Sequence, residues 1–88
     1  MKQHKMLAKE FLAEYTDNLR KLRNLTQDEM SERLRITSRA YGDLERGKYC
    51  FLAIALLFLL LMLSDDKLKA FLEGFRKRVH DLEHKEAA

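Results

Sequence analysis

Residues Leu19 to Lys48 read LRKLRNLTQDEMSERLRITSRAYGDLERGK, and this stretch decides the fold. Within it, Thr26-Gln27-Asp28-Glu29 has the form of a capping box: the threonine hydroxyl can accept from the amide of Glu29 while the glutamate reaches back to the amide of Thr26. A helix therefore starts here. It buries Met30 and Leu34, and it is short, because Thr37-Ser38 offers a second N-cap a few residues later. The next helix runs from about Ser38 to Arg46. Tyr41 and Leu44 face inward at i, i+3 spacing, which leaves Ser38, Arg39, Gly42 and Asp43 facing outward. Gly47 is placed to end it in a left-handed conformation.

Working upstream, Leu7, Phe11, Tyr15, Leu19 and Leu22 make a helical stripe, with Ala8 and Leu12 alongside. They define a first helix from about Lys5 to Arg23, closed by Asn24, a residue type that tolerates the left-handed region. Downstream, Phe51 to Leu63 is an uninterrupted apolar run of 13 residues. Its helix, from about Leu52 to Met62, is apolar on every side and so is expected to be surrounded by protein. Either helices 1, 3 and 5 wrap it, or a second subunit covers part of it. Ser64-Asp65-Asp66 then caps a final helix with the stripe Leu68, Phe71, Leu72, Phe75, Val79 and Leu82. The polar tail from Glu83 is expected to fray.

The pattern predicts an all-α fold of five helices with an extended C-terminal helix. Residues 1–88 form a single domain, with the paired short helices at 26–46. Helices 1 and 4 and the first half of helix 5 are expected to form the core, and the C-terminal helices at 52–83 supply a candidate dimer interface. Composition agrees: the 88 residues include no proline and three glycines, too short a chain for two folded domains. The net charge of +3 is lopsided, because residues 1–50 hold 11 Lys and Arg against 8 Asp and Glu, whereas residues 51–88 hold 6 of each. A basic first half is compatible with a polyanionic partner. Cys50 is the single cysteine, which rules out an intrachain disulfide and makes the cytoplasm the expected location. It is expected to be a small buried residue. The N-terminus lacks the apolar run and cleavage site of a signal peptide. A 13-residue apolar helix spans about 20 Å, short of a hydrocarbon core of about 30 Å, so no membrane association is expected.

Two short helices joined by a tight turn, the second polar on its outer face, suit the major groove of DNA. From about Leu19 to Gly47 the sequence also resembles the Cro/CI-like (XRE, lambda-repressor-like) helix-turn-helix family. The family pattern is roughly LRxLR, LTQxELA, a turn, a Ser/Thr-capped recognition helix and a closing LExG. Leu25-Thr26-Gln27, Glu29-Met30, Ile36-Thr37-Ser38 and Leu44-Glu45-Arg46-Gly47 fall at those separations without an insertion.

The resemblance implies double-stranded DNA as partner and places Ser38, Arg39 and Asp43 at base-reading positions. A guanidinium at Arg39 can pair with guanine O6 and N7. Asp43 can accept from a cytosine amino group, or it can orient Arg39 as an i, i+4 pair. Gln27 and Thr37 are candidate phosphate contacts, as are Arg46 and Lys48 around the Gly47 turn, and more weakly Arg23 and Arg35. Arg20 and Glu45 occupy positions that, in related repressors, form an ion pair tying helix 1 to the end of helix 3. Ser31 stands where the family has alanine, at the close approach of helices 2 and 3. Arg35 replaces a turn glycine, and about ten extra residues precede the usual start of helix 1. Gly42 is expected on the exposed face, where it allows close approach to the groove. The surplus length of helix 5 is a candidate for dimerisation.

His80-Asp81-Leu82-Glu83-His84 has the spacing of an inverted zinc-protease motif, but no distal third ligand accompanies it, and two solvated histidines are the expected reading. No nucleophile triad or glycine-rich phosphate loop is found, so neither enzyme activity nor a cofactor nor a metal is expected. Three functions fit the sequence: a homodimeric DNA-binding repressor, an antitoxin that uses its C-terminal helices to mask a toxin, and a helical protein-interaction module.

Overall fold

The structure, a computed structural model, describes residues 2–48 and 53–87. Cys50 and Leu52, the first residue of the expected fourth helix, lie outside the described residues. Five helices follow in order: α1 (Lys2–Leu22), α2 (Gln27–Leu34), α3 (Ser38–Glu45), α4 (Ala53–Leu61) and α5 (Asp65–Ala87). Among the described residues there is no strand.

Local chemistry fixes the helix boundaries. The Thr26 hydroxyl accepts from the amide of Glu29 at 3.1 Å, and the Glu29 carboxylate accepts from the amide of Thr26 at 2.9 Å, so two otherwise unpaired donors are satisfied at the start of α2. Hydrogen bonds from the Thr26 amide and then its hydroxyl hold the Glu29 carboxyl below its ordinary range. Thr37 caps α3 by accepting from the amide of Ala40 at 3.1 Å, and Ser64 caps α5 by accepting from the amide of Lys67 at 3.3 Å. At their far ends, α1, α2 and α3 close alike, with Asn24, Arg35 and Gly47 at φ of 57°, 62° and 73°. In each case the left-handed residue and its successor donate back to carbonyls of the last turn; Gly47 bonds Leu44 at 3.0 Å and Lys48 bonds Asp43 at 2.9 Å. Arg35 thus keeps the conformation of the glycine it replaces, and its guanidinium donates to the carbonyls of Glu32 at 2.9 Å and Arg33 at 3.0 Å.

The main core joins Leu19 of α1, Met30 and Leu34 of α2, Tyr41 of α3, and Ala55 and Leu59 of α4. This corrects the expected core: α2 and α3 stand at its centre, and α5 lies outside it. The reason is geometric, because α4 packs chiefly on α2 whereas α5 turns away to lie along α1. Helices 1, 3 and 5 therefore do not wrap α4, and Ile54, Leu57 and Leu61 are exposed.

A second, aromatic cluster joins α1 to α5. Phe11 meets Phe71 and Phe75 with ring centroids 5.4 Å and 5.2 Å apart, and Tyr15 meets Phe71 nearly edge-on at 4.7 Å. Arg78 donates to Glu14 at 2.6 Å, and His4 lies 3.0 Å from Glu83. These contacts run antiparallel, so the extra residues at the start of α1 and the surplus length of α5 cover each other. α5 continues as helix to Ala87, through the tail expected to fray. Leu22 and Leu72, assigned to buried stripes, are exposed. Among the described residues no helix is long and apolar enough to cross a membrane.

Candidate nucleic-acid interface

The site is built from α2, the Arg35-Ile36-Thr37 turn and α3. Met30, Leu34 and Tyr41 have no exposed surface, so both helices are anchored from behind. Where they approach each other, Ser31 is buried, donates to the carbonyl of Asp28 at 2.7 Å and lies 3.4 Å from the Ser38 hydroxyl. A larger side chain at Ser31 would separate the two helices.

One carboxylate organises the rear of the site. Glu45, with its side chain 8% exposed, accepts from Arg20 Nε at 2.7 Å, from Gln27 Nε2 at 2.8 Å and from the Tyr41 hydroxyl. Arg20, 15% exposed, also donates to the carbonyl of Leu25 at 3.0 Å and to Asp17 at 3.2 Å. A single guanidinium thereby ties α1 and the α1–α2 connection to the last residue of α3. Its hydrogen bond to Glu45 raises its already high pKa. Burial, with help from Glu45, pushes the Tyr41 phenol well above its ordinary range, so it remains a donor. Asp17 is held below the usual carboxylate range by Lys21, at 3.0 Å, and by Arg20.

The residues singled out from the sequence fall into two groups. Ser38, Arg39 and Lys48 are exposed, and among the described residues the Arg39 guanidinium and the Lys48 ammonium have no hydrogen-bond or ion-pair partner. The others are engaged within the protein. Gln27 is held by Glu45, Thr37 caps α3, Arg23 donates to the carbonyl of Met62, and Arg35 bonds the end of α2 while lying 4.5 Å from the centre of the Phe58 ring.

Two expectations are corrected. Asp43 pairs with Arg46 rather than Arg39, because the i+3 guanidinium folds back along the helix toward it. That same fold places Arg46 over Gly42, which is buried instead of exposed; a Cβ built there would lie 3.5 Å from the guanidinium, an ordinary contact.

Tyr41, expected only as an inward residue, and Asp17, not singled out by sequence, both join the network. Their spacing from Glu45 and Arg20, at i, i+4 and i, i+3, was the available signal. The C-terminal histidines sit apart from the site, with the His80 and His84 rings stacked at 3.8 Å. Among the described residues no group of three or more His, Cys, Asp or Glu side chains is placed to hold a metal ion.

A helix-turn-helix family model matches residues 18–56, a span that takes in the end of α1, all of α2 and α3, and the start of α4. Neither the curated proteins nor the solved structures contain a match to the chain. The match covers Arg20, Gln27, Tyr41 and Glu45, and it is the same stretch whose caps and inward residues set the geometry above. With an all-α fold around it, this stretch matches the Cro/CI-like (XRE-family) helix-turn-helix, and the match supports a DNA-binding role in transcription regulation.

Proposed function

We propose that the chain is a sequence-specific repressor that acts in the cytoplasm as a homodimer, each protomer laying α3 in the major groove of double-stranded DNA. The observation that carries this reading is the contrast at α3. Its inner face and far end are fixed by Tyr41, Leu44 and the Glu45 network, while Ser38 and Arg39 at its start are exposed. A guanidinium held on a rigid helix start is suited to bidentate pairing with guanine. Gln27 and Thr37 lie at the two helix starts, where free amides and the positive helix end favour phosphate. Lys48 and Arg46 flank them. Arg23 and Arg35 have the weaker claim, since carbonyls already hold them. Asp43 contributes through its pair with Arg46, which cancels a negative charge on the face offered to DNA.

Selection of binding sites from random duplex DNA tests the reading. The wild type is expected to enrich a two-fold motif with half-sites about one helical turn apart. Arg39→Ala is expected to lose discrimination at one position of each half-site, worth about 1–3 kcal/mol. Lys48→Ala should weaken binding to all sequences alike and flatten the salt dependence by about one ion. Failure of the wild type to enrich any motif overturns the repressor reading. An unchanged motif for Arg39→Ala overturns only the role of Arg39.

The exposed apolar side chains of α4 and α5 favour an antitoxin as a second reading, in which they would dock a toxin. Co-purification of the untagged chain with a small partner protein at fixed stoichiometry would favour it.

A further inference from the structure

We infer that Arg46 is a second base-reading residue, turned onto the groove-facing side of α3 by Asp43 and given room there by Gly42. This rests on the reading of α3 as a major-groove helix and adds to it the residue that sets a further position of the operator. Ser38, Gly42 and Arg46 succeed one another at intervals of four along α3, with Arg39 and Asp43 beside them, so they share one face. Tyr41, Leu44 and the hydrogen-bonded Glu45 occupy the opposite one. Arg46 is the C-cap, with φ −83° and ψ 0°, still right-handed, and the face therefore continues unbroken to it. Its guanidinium does not trail toward the Gly47 turn. It lies back over Gly42, where an added Cβ would be 3.5 Å from one terminal nitrogen and 3.9 Å from the other, and it donates to Asp43.

Three features point this cation at base edges rather than at phosphate. A methyl group at residue 42 would still fit, but a longer side chain would take the space of the guanidinium, so a minimal residue stands where Arg46 crosses the face. Asp43 is the second feature: its side chain is 15% exposed against 60% for Arg46, so the acid lies beneath the base and the pair turns donors outward. Asp43 takes one guanidinium N–H, and those that remain include a parallel pair of the kind that guanine O6 and N7 accept. The third is what lies behind. Toward α1 and α5, Arg46 borders a cleft whose walls include Glu10, Glu14 and Glu45. Arg78 offsets Glu14 and Arg20 offsets Glu45, which leaves the exposed Glu10 to repel a phosphate on that side. Along the helix, Gly42 and Arg46 lie ~4.5 Å and ~10.5 Å beyond Arg39. With base pairs ~3.4 Å apart, Arg46 reads a guanine about one to three base pairs from the one read by Arg39.

Site selection from random duplex DNA with the full chain, followed by affinity measurements on the selected site and its single-base variants, tests this. The wild type is expected to enrich two guanines in each half-site. Arg39→Ala is expected to lose one and Arg46→Ala the other. Affinity of Arg46→Ala for the selected site should fall about 5- to 150-fold, while its affinity for a site already lacking the second guanine stays nearly that of the wild type. Arg46→Lys keeps the charge without the planar fork and is expected to lose the same preference. Asp43→Ala takes away the support of the guanidinium. Its preference for the second guanine is expected to drop about 2- to 10-fold while its binding to unrelated DNA strengthens, a split that loss of folding does not produce. Circular dichroism checks that each variant keeps its helix.

Suppose instead that Arg46→Ala weakens binding to all sequences alike, with a salt slope shallower by about one ion and full recovery in Arg46→Lys. Arg46 is then a phosphate contact, which overturns the inference and leaves α3 standing as the reading helix. An unchanged motif and affinity for Arg46→Ala overturns it too. Undiminished preference for the second guanine in Asp43→Ala overturns the support assigned to Asp43. A wild type that enriches no motif overturns both the inference and the reading on which it rests.

Discussion

Leu59 and Leu61 sit two residues apart on α4 and have opposite environments. Leu59 has no exposed surface and belongs with Met30, Leu34 and Tyr41 to an interior closed on all sides. Leu61 looks into the open, with Ile54 and Leu57. Both regions use the same apolar residue types, so composition does not explain the contrast. The closed region is sealed because α2 and α3 are short, capped at both ends and pinned from behind by the Glu45 network, which lets one chain hold α3 in place unaided. The open region lacks any element long enough to reach it, since α5 is committed to α1. A small chain thus spends its intramolecular contacts on placing α3 and leaves Ile54, Leu57 and Leu61 exposed.

The sharpest way to break this comparison is to remove volume from the closed region. Leu34→Ala is expected to destabilise the chain by about 3–4 kcal/mol, measured by urea unfolding, because the site is fully enclosed by three helices and collapses only partly. A loss below about 1 kcal/mol would mean that the interior is not sealed. Next in size is Glu45→Ala, expected to cost about 3 kcal/mol: it leaves Arg20 in a largely enclosed position without its main partner and strips the Tyr41 hydroxyl of its acceptor. Glu45→Gln, which keeps acceptors but not the charge, should recover part of that loss.

A smaller effect follows from acid. Asp17 and Glu29 have carboxyl groups held below their ordinary values of 3.8 and 4.5. The unfolded chain therefore takes up protons before the folded chain does, and the stabilisation is complete above about pH 5 and is lost as the pH falls through the lowered values. The urea midpoint should decline between pH 5 and pH 3, and Asp17→Asn/Glu29→Gln should flatten the decline. The smallest effect belongs to the open region. Leu57→Ser is expected to change the stability of the monomer by less than about 0.5 kcal/mol at a concentration too low for association, and a larger loss would show that Leu57 is not free.

What could be read from the sequence was decided within a few residues. The capping box of Thr26 and Glu29, the cap at Thr37 and the left-handed closures at Asn24 and Gly47 depend on neighbours, and their residue types state them directly. The inward positions Met30, Leu34, Tyr41 and Leu44 follow from spacing alone. A stripe, however, tells which face of a helix is apolar without telling what meets it. Hence the stripe predicts the first half of α5 in the main core although it faces Phe11 and Tyr15, and the apolar run leaves open whether α4 is wrapped by its own chain or covered by a second subunit. Asp43 shows the same limit on a smaller scale: Arg39 and Arg46 are both one turn away, and only the rotamer of Arg46 selects between them. That rotamer also covers Gly42. Gln27 was assigned to phosphate with no signal for its hydrogen bond to Glu45, eighteen residues away in sequence, because that contact exists only once α3 is docked.

Arg35 occupies a backbone conformation that costs a non-glycine residue roughly 1–2 kcal/mol. Its side chain rests on Phe58 of α4, next to the exposed Leu57. The bend between the two short helices is therefore braced against α4, so the seating of that helix reaches the turn that sets the angle between α2 and α3 through this one side chain.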